Sequence, residues 1–130
     1  MSQVPDAASA YRESSFENAP PLKILRMLYQ GAIRFIDQAI ELDPAADAAH
    51  FNEKLGRADA IVCELRCSLA REHAPELCDQ LESLYLFVEK RIDDAFQARD
   101  AQPVREARVV LTKLLDGWKQ IELGSEHLVR

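Results

Sequence analysis

The chain has 130 residues, 48% of them apolar and 29% charged, and it carries a net charge of −6 at pH 7. One domain of this size can bury a core of its own, and the acidic balance argues against a nucleic-acid partner, because phosphate binding needs clustered Lys and Arg. No apolar run is long enough to span a membrane and no secretory signal is evident, so we expect a cytoplasmic protein with no membrane partner.

Prolines near the predicted helix starts divide most of the chain into helical segments. The starts lie at Pro21, at Pro44 after Asp43, at Pro75, and at Pro103 after Asp100. Proline is tolerated in the first turn of a helix, and an aspartate just before it can cap the free N–H groups. The predicted layout is a flexible arm over residues 1–17, a helical domain over residues 18–123 and a disordered tail over residues 124–130.

Each segment after the first carries one stripe of apolar residues three and four positions apart, the pattern of an amphipathic helix. The stripes are Ala48, Phe51, Leu55, Ala58, Val62, Leu65 and Leu69; Cys78, Leu81, Tyr85, Val88, Ile92 and Ala95; and Val104, Ala107, Leu111, Leu114, Trp118 and Ile121. With short connections between such helices, we predict an all-α, antiparallel up-down four-helix bundle.

The first segment is more apolar than one buried face requires. Its stripe consists of Leu22, Leu25, Tyr29, Ala32, Ile36 and Ala39, and the residues that widen it are Ile24, Leu28, Gly31 and Phe35. Together they span an arc of roughly 200°, about twice that of an ordinary surface helix. Either this helix contacts two neighbours within the bundle, or part of its face binds another chain.

The second segment has another stripe, made of small residues and turned away from the core. This small-residue stripe consists of Gly56, Ala60, Cys63, Cys67 and Ala70. Small side chains in a row leave a shallow channel along which another helix can approach. Leu86 falls almost opposite the core stripe of the third segment and can add to an apolar surface there. The alternative is that all of these are ordinary surface residues.

The chain offers little for catalysis or metal binding. Its three cysteines, Cys63, Cys67 and Cys78, fit a reducing compartment better than a disulfide framework. Cys63 and Cys67 share one side of a helix, but zinc takes four ligands and nothing completes such a site, so no metal is expected. Without a phosphate-binding loop, a nucleophilic triad or a di-iron helix motif, we expect neither an enzyme nor a cofactor.

Motifs in four places are more specific than the periodicity. They are Tyr11 with Asn18-Ala19-Pro20, Met27-Leu28-Tyr29-Gln30-Gly31-Ala32, Leu81-x-x-Leu84-Tyr85 with Arg91-Ile92, and Trp118-Lys119-Gln120-Ile121. In this order and spacing the chain resembles the FliS family of flagellin export chaperones over about residues 8–122. The resemblance implies a helical bundle of the bacterial cytoplasm. Such a protein binds the disordered C-terminal segment of flagellin one to one, prevents premature polymerisation and delivers it to the flagellar type III export apparatus.

The resemblance and the helical pattern together predict a client-binding site. Tyr11 matches the tyrosine of the family's N-terminal arm, which is implicated in the client interaction. The remaining site residues come from the helical wheel and are Ile24, Met27, Leu28, Gly56, Ala60, Cys63, Cys67, Ala70 and Leu86. A second hypothesis is a helical adaptor that binds another export or regulatory protein through the same groove. The sequence leaves open whether the free protein is a monomer or a weak homodimer.

Overall fold

The protein is described here by a computed structural model, which covers residues 21–129. The described chain forms helices α1 (Leu22–Ile40), α2 (Ala48–Cys67), α3 (Pro75–Ala98) and α4 (Gln102–Val129). Helices α2 and α4 each pack against both α1 and α3, so the helices close into a four-membered bundle. The predicted all-α four-helix bundle is confirmed, whereas the predicted arm over residues 1–17 lies outside the described residues.

Contacts between α1 and α4 show that these two helices run antiparallel. Arg26, near the start of α1, pairs with Glu122, late in α4, with 2.7 Å between Nε and Oε1. Asp37, near the end of α1, pairs with Arg108, early in α4. Half-exposed ion pairs of this kind contribute little to stability, so their value here is in the alignment of the two helices.

The core forms from the predicted stripes, except that Leu22, Ala48 and Leu69 at the ends of their stripes are only half-buried and that one position in α4 differs. In α4 the prediction of Leu114 was wrong: Leu115 is the core residue, 6% exposed, and Leu114 is half-buried. Both leucines fit a step of three or four from Leu111, and only the position of the neighbouring helices decides between them. The other buried stripe residues are Leu25, Tyr29, Ala32, Ile36, Ala39, Phe51, Leu55, Ala58, Val62, Leu65, Cys78, Leu81, Tyr85, Val88, Ile92, Ala95, Val104, Ala107, Leu111, Trp118 and Ile121.

A polar cluster joins α1, α3 and α4 inside this core. The hydroxyl groups of Tyr29 and Tyr85 share a hydrogen bond with 2.5 Å between their oxygen atoms. The indole Nε1–H of Trp118 donates to the Tyr29 oxygen at 3.1 Å. Burial raises the pKa of Tyr29 to about 12. Each aromatic ring fills the core while its polar tip finds a buried partner, which fixes the alignment of the helices.

The helix starts follow the proline pattern only in part. Pro75 opens α3 as predicted, and the Asp100 carboxylate accepts the N–H of Gln102 at the start of α4 at 3.0 Å. The prediction that Asp43 caps α2 was wrong, because α2 begins at Ala48.

Asp43 instead caps a separate turn ahead of α2. Its Oδ1 accepts the N–H groups of Ala45 and Ala46 at 2.9 and 3.2 Å, which lowers the pKa of Asp43. The backbone of Asp47 then leaves the helical region, with φ −114° and ψ 41°, and this separates the turn from α2.

The last helix is longer than predicted. We expected a disordered tail from residue 124, but the backbone of α4 remains helical to Val129. A glycine inside a helix costs about 1 kcal/mol relative to alanine, and no proline follows Gly124 to end the helix. The glycine therefore does not terminate α4.

Candidate interaction surface

The broad apolar arc of α1 divides into a packed part and an exposed part. Gly31 is buried at the contact with α2, where an added Cβ would lie 3.4 Å from Cδ1 of Ile61. Leu28 is half-buried and packs against the core. Ile24 and Met27, one turn earlier, are 46% and 54% exposed. Contact with a neighbouring helix therefore accounts for the packed part of the arc, whereas binding of another chain by the exposed part stays a prediction.

Phe35 belongs to the packed part. It is half-buried against the core, and two basic groups of α2 lie over its ring. Lys54 Nζ and Arg57 Cζ are each 5.7 Å from the ring centroid, within the range of a cation–π interaction. The α2 side of α1 is thus covered near its C-terminal end and open near its N-terminal end.

Four residues of the small-residue stripe lie on α2 as the sequence predicts, but the prediction of Ala70 was wrong, because α2 ends at Cys67 and Ala70 packs against the core. Gly56, Ala60 and Cys67 are exposed, and Cys63 and Ala70 are half-buried. An added Cβ at Gly56 would meet no atom within 4 Å. Nothing in the described chain covers this stripe, so the outer surface of α2 is low and accessible.

Helix α3 borders the other side of the stripe. Arg66 of α2 joins Glu89 of α3, with 2.7 Å between Nε and Oε2, and its Nη2 lies 3.7 Å from the Cys63 sulfur. Leu86 stands one turn before Glu89 on the same side of α3 and is 48% exposed. We call the surface made by Ile24, Met27, the small-residue stripe and Leu86 the open face.

A cleft between α2 and α3 continues the open face toward the far end of the bundle. Its volume is about 220 Å³. Its lining residues are Asn52, Leu55, Gly56, Asp59, Ile92, Asp93 and Phe96. Partial burial raises the pKa of Asp59, and the nearby charges of Glu89 and Asp93 raise it further. The cleft therefore has an apolar floor and an acidic edge.

The sequence analysis missed one residue of this region. Phe96 lines the cleft and is largely exposed, although it is a large aromatic residue. It lies four positions after the core residue Ile92, so the spacing predicts a buried residue and gives no signal of its exposure. Of the residues predicted for binding, Tyr11 lies outside the described part of the chain.

Neither a metal site with three or more ligands nor a membrane-spanning helix is found among the described residues. Among them, no group of three or more His, Cys, Asp or Glu side chains is placed to hold a metal ion. No helix in the described range is both long and apolar enough to cross a bilayer.

Comparison with known proteins identifies the family of this chain. The family model described as flagellar protein FliS matches residues 4–125. The chain is 30% identical over 112 residues to the flagellar secretion chaperone FliS of Bacillus subtilis, across 86% of this chain and 83% of that protein. It is 28% identical over 112 residues to the flagellar secretion chaperone FliSB of Pseudomonas aeruginosa, across 84% and 86% of the two chains.

The family match covers three of the helices completely and α4 as far as residue 125, and with the named relatives it defines the class of the protein as a flagellar export chaperone. The chain belongs to the FliS family of flagellar proteins. The family predicted from the sequence motifs is thereby confirmed.

Proposed function

We propose that this protein binds the disordered C-terminal segment of one flagellin molecule on the open face. In the bacterial cytoplasm it keeps flagellin from polymerising and delivers it to the flagellar export apparatus. The observation that carries this proposal is the run of accessible small side chains on α2, together with exposed apolar residues on both neighbouring helices, Ile24 and Met27 on α1 and Leu86 on α3. Single exposed apolar residues are common, but a group on one face of a bundle is typical of a partner surface.

The chemistry of the open face suits a segment that becomes helical when it binds. The small side chains of Gly56, Ala60 and Cys67 let a helix backbone approach α2 closely. Ile24 and Leu86, on either side, can then contact the apolar anchors of that helix. A disordered partner spends part of its contact energy on ordering, so it needs a long apolar surface of this kind.

Glycines on two faces of the bundle provide a matched test. Gly56 on the stripe and Gly117 on α4 are both exposed, both helical, and both without any atom within 4 Å of an added Cβ. Gly56→Arg places a long charged side chain on the open face, and Gly117→Arg makes the same change elsewhere. Both changes raise helix propensity, so their effects on folding are similar.

The measurement is isothermal titration with a peptide of about the last 40 residues of flagellin from the same organism, a segment long enough to fold on binding. The unaltered protein should bind one peptide with a large negative heat-capacity change, the sign of buried apolar surface. Gly56→Arg should weaken binding at least tenfold, or about 1.4 kcal/mol, while Gly117→Arg should leave it unchanged.

Two other outcomes have clear meanings. Equal binding by both arginine variants would show that flagellin uses a different face. If a folded, unaltered protein gave no heat at any temperature, flagellin would not be the client, and the protein would be an adaptor for another export or regulatory protein.

Any weak pairing of the free protein should use the open face and disappear when peptide is added.

A further inference from the structure

Cys63 and Cys67 lie on consecutive turns of α2 with their sulfur atoms 4.0 Å apart. Two metal–thiolate bonds of about 2.3 Å each span this separation when they meet at the metal at an angle of about 120°. When the two bonds are collinear, they span about 4.6 Å. A disulfide requires the Cβ atoms to be about 3.8 Å apart, whereas residues four apart on a helix keep them about 5–6 Å apart. The helix therefore holds these sulfurs at a distance suited to a bridging ion rather than to a covalent bond.

We propose that Cys63 and Cys67 form a binding site for one soft, thiophilic cation of the copper(I) type. Soft thiolate ligands select such ions, and copper(I) accepts low coordination numbers. Zinc is a poorer match because it takes four ligands, and the described residues place no third metal-binding side chain beside this pair. The lack of further ligands excludes a four-coordinate zinc site but not an ion held by two sulfurs.

The surroundings allow the ion to enter without rearrangement of the bundle. Cys67 is exposed and Cys63 is half-buried, and their neighbours on the stripe, Ala60 and Ala70, are too small to cover them. The third cysteine, Cys78, is buried on α3 and plays no part in the site.

Binding balances in charge and protons without any redox change. One copper(I) ion displaces the protons of both thiols, and the resulting dithiolate complex carries a single negative charge. The guanidinium of Arg66, 3.7 Å from the Cys63 sulfur, offsets part of that charge, while Glu89 of α3 holds Arg66 in place.

The test is an anaerobic titration of the reduced full-length chain with copper(I) against the chromophoric chelator bicinchoninate. We expect one copper(I) ion per chain. Loss of an outer-shell contact costs about 10- to 100-fold in metal affinity, so loss of a ligand in Cys63→Ser or Cys67→Ser should cost at least about 100-fold. Cys78→Ser is the control and should bind as the unaltered protein does, with Cys78→Ala in its place if circular dichroism shows that the serine variant is unfolded.

Each contrary result would overturn the proposal. The unaltered chain could fail to compete with the chelator, or both serine variants at the stripe could keep their full affinity for copper(I). Substitution of Cys78 alone could also abolish binding. X-ray absorption of the copper-loaded chain should show two sulfur ligands. The experiment needs no flagellin, so its result is independent of the proposed function.

Discussion

The two sides of α1 face their neighbouring helices in different ways. Toward α4, Arg26 and Asp37 pair with charged residues of that helix, and a cleft of about 350 Å³ beside them is lined mostly by polar side chains. Toward α2, Ile24 remains exposed although it belongs to the apolar arc, and Met27, outside the arc, is exposed as well. On the α4 side, the charged residues of α1 thus find partners within the chain. On the α2 side, apolar residues of α1 remain exposed.

This difference indicates where free energy for binding is available. Partly exposed ion pairs contribute about 0–1 kcal/mol each, so these pairs offer a partner little, and Leu123 of α4 is the exposed apolar residue beside them. Full burial of an Ile, Leu or Met side chain contributes about 1.5–3 kcal/mol. Near α2, the exposed residues of the open face therefore provide most of the apolar surface that a partner could still bury.

The largest expected effect is on flagellin binding. Ile24→Asp combined with Leu86→Asp removes an apolar anchor from each side of the stripe and puts charge in its place. We expect at least about a 100-fold loss of affinity for the flagellin peptide, close to 3 kcal/mol, measured by titration calorimetry. Because both residues are about half exposed, the free energy of unfolding in urea should change by less than about 0.5 kcal/mol.

The control for this variant is Val109→Asp on α4. Val109 is 52% exposed, similar to the two altered residues, but it lies outside the open face. Its change to aspartate should leave the affinity intact. A loss of affinity equal to that of the double variant would mean that added negative charge, rather than loss of the anchors, weakens binding.

The second effect concerns stability at high pH. It tests the contact of α1 with α4, where Trp118 donates a hydrogen bond to Tyr29. Because burial raises the pKa of Tyr29 from 10.0 to about 12, the folded protein keeps this proton at a pH where the unfolded chain has lost it. The resulting contribution is fully present below pH 10 and is lost as the pH rises to about 12. Its size is about 2–3 kcal/mol, from 1.36 kcal/mol per pKa unit.

Urea unfolding between pH 9 and pH 12 measures this contribution, with Tyr29→Phe as the comparison. The variant has no hydroxyl to ionise at this position, so its stability should fall less steeply over the range. At pH 7 it should be less stable than the unaltered protein by about 1–3 kcal/mol, because Trp118 and Tyr85 lose their hydrogen bonds to Tyr29. Parallel curves for the two proteins would show that Tyr29 does not control the alkaline transition.

The fold followed from the sequence wherever spacing alone determines burial. The steps of three and four located every buried apolar residue of α2 and α3, and they erred only at the ends of the α2 stripe, where Ala48 and Leu69 are half-buried. The step failed at Leu114 and Leu115, where adjacent leucines fit equally well. The tyrosine and tryptophan cluster was also beyond prediction, because spacing places Tyr29 in the core but does not say which polar tips meet there.

The candidate site was predictable to a lesser degree for a related reason. The small-residue stripe was evident because small residues recur away from the core. The division of the α1 arc was not, since burial of Gly31 and exposure of Ile24 depend on where α2 crosses. Phe96 was missed because it looks like a core residue one turn beyond Ile92, although no helix covers it.

The smallest effect is expected from ion pairs of equal burial on the two sides of the bundle. Arg26–Glu122 joins α1 to α4 and Arg66–Glu89 joins α2 to α3, each at 2.7 Å and with closely similar exposure. Glu122→Gln and Glu89→Gln should each cost about 0–1 kcal/mol of stability, and this cost should shrink as salt is added. Urea unfolding at low and high salt measures both.

The two variants should differ in flagellin binding. Glu89→Gln releases Arg66, whose side chain can then extend over the stripe beside Cys63, so we expect affinity to fall by less than tenfold, or by about 1 kcal/mol. Glu122→Gln should leave the affinity unchanged, because Glu122 lies at the α1–α4 contact. If Glu122→Gln weakened binding as much as Glu89→Gln, the client would also contact the α1–α4 side. The α4 side of α1 would then serve in binding as well as in folding.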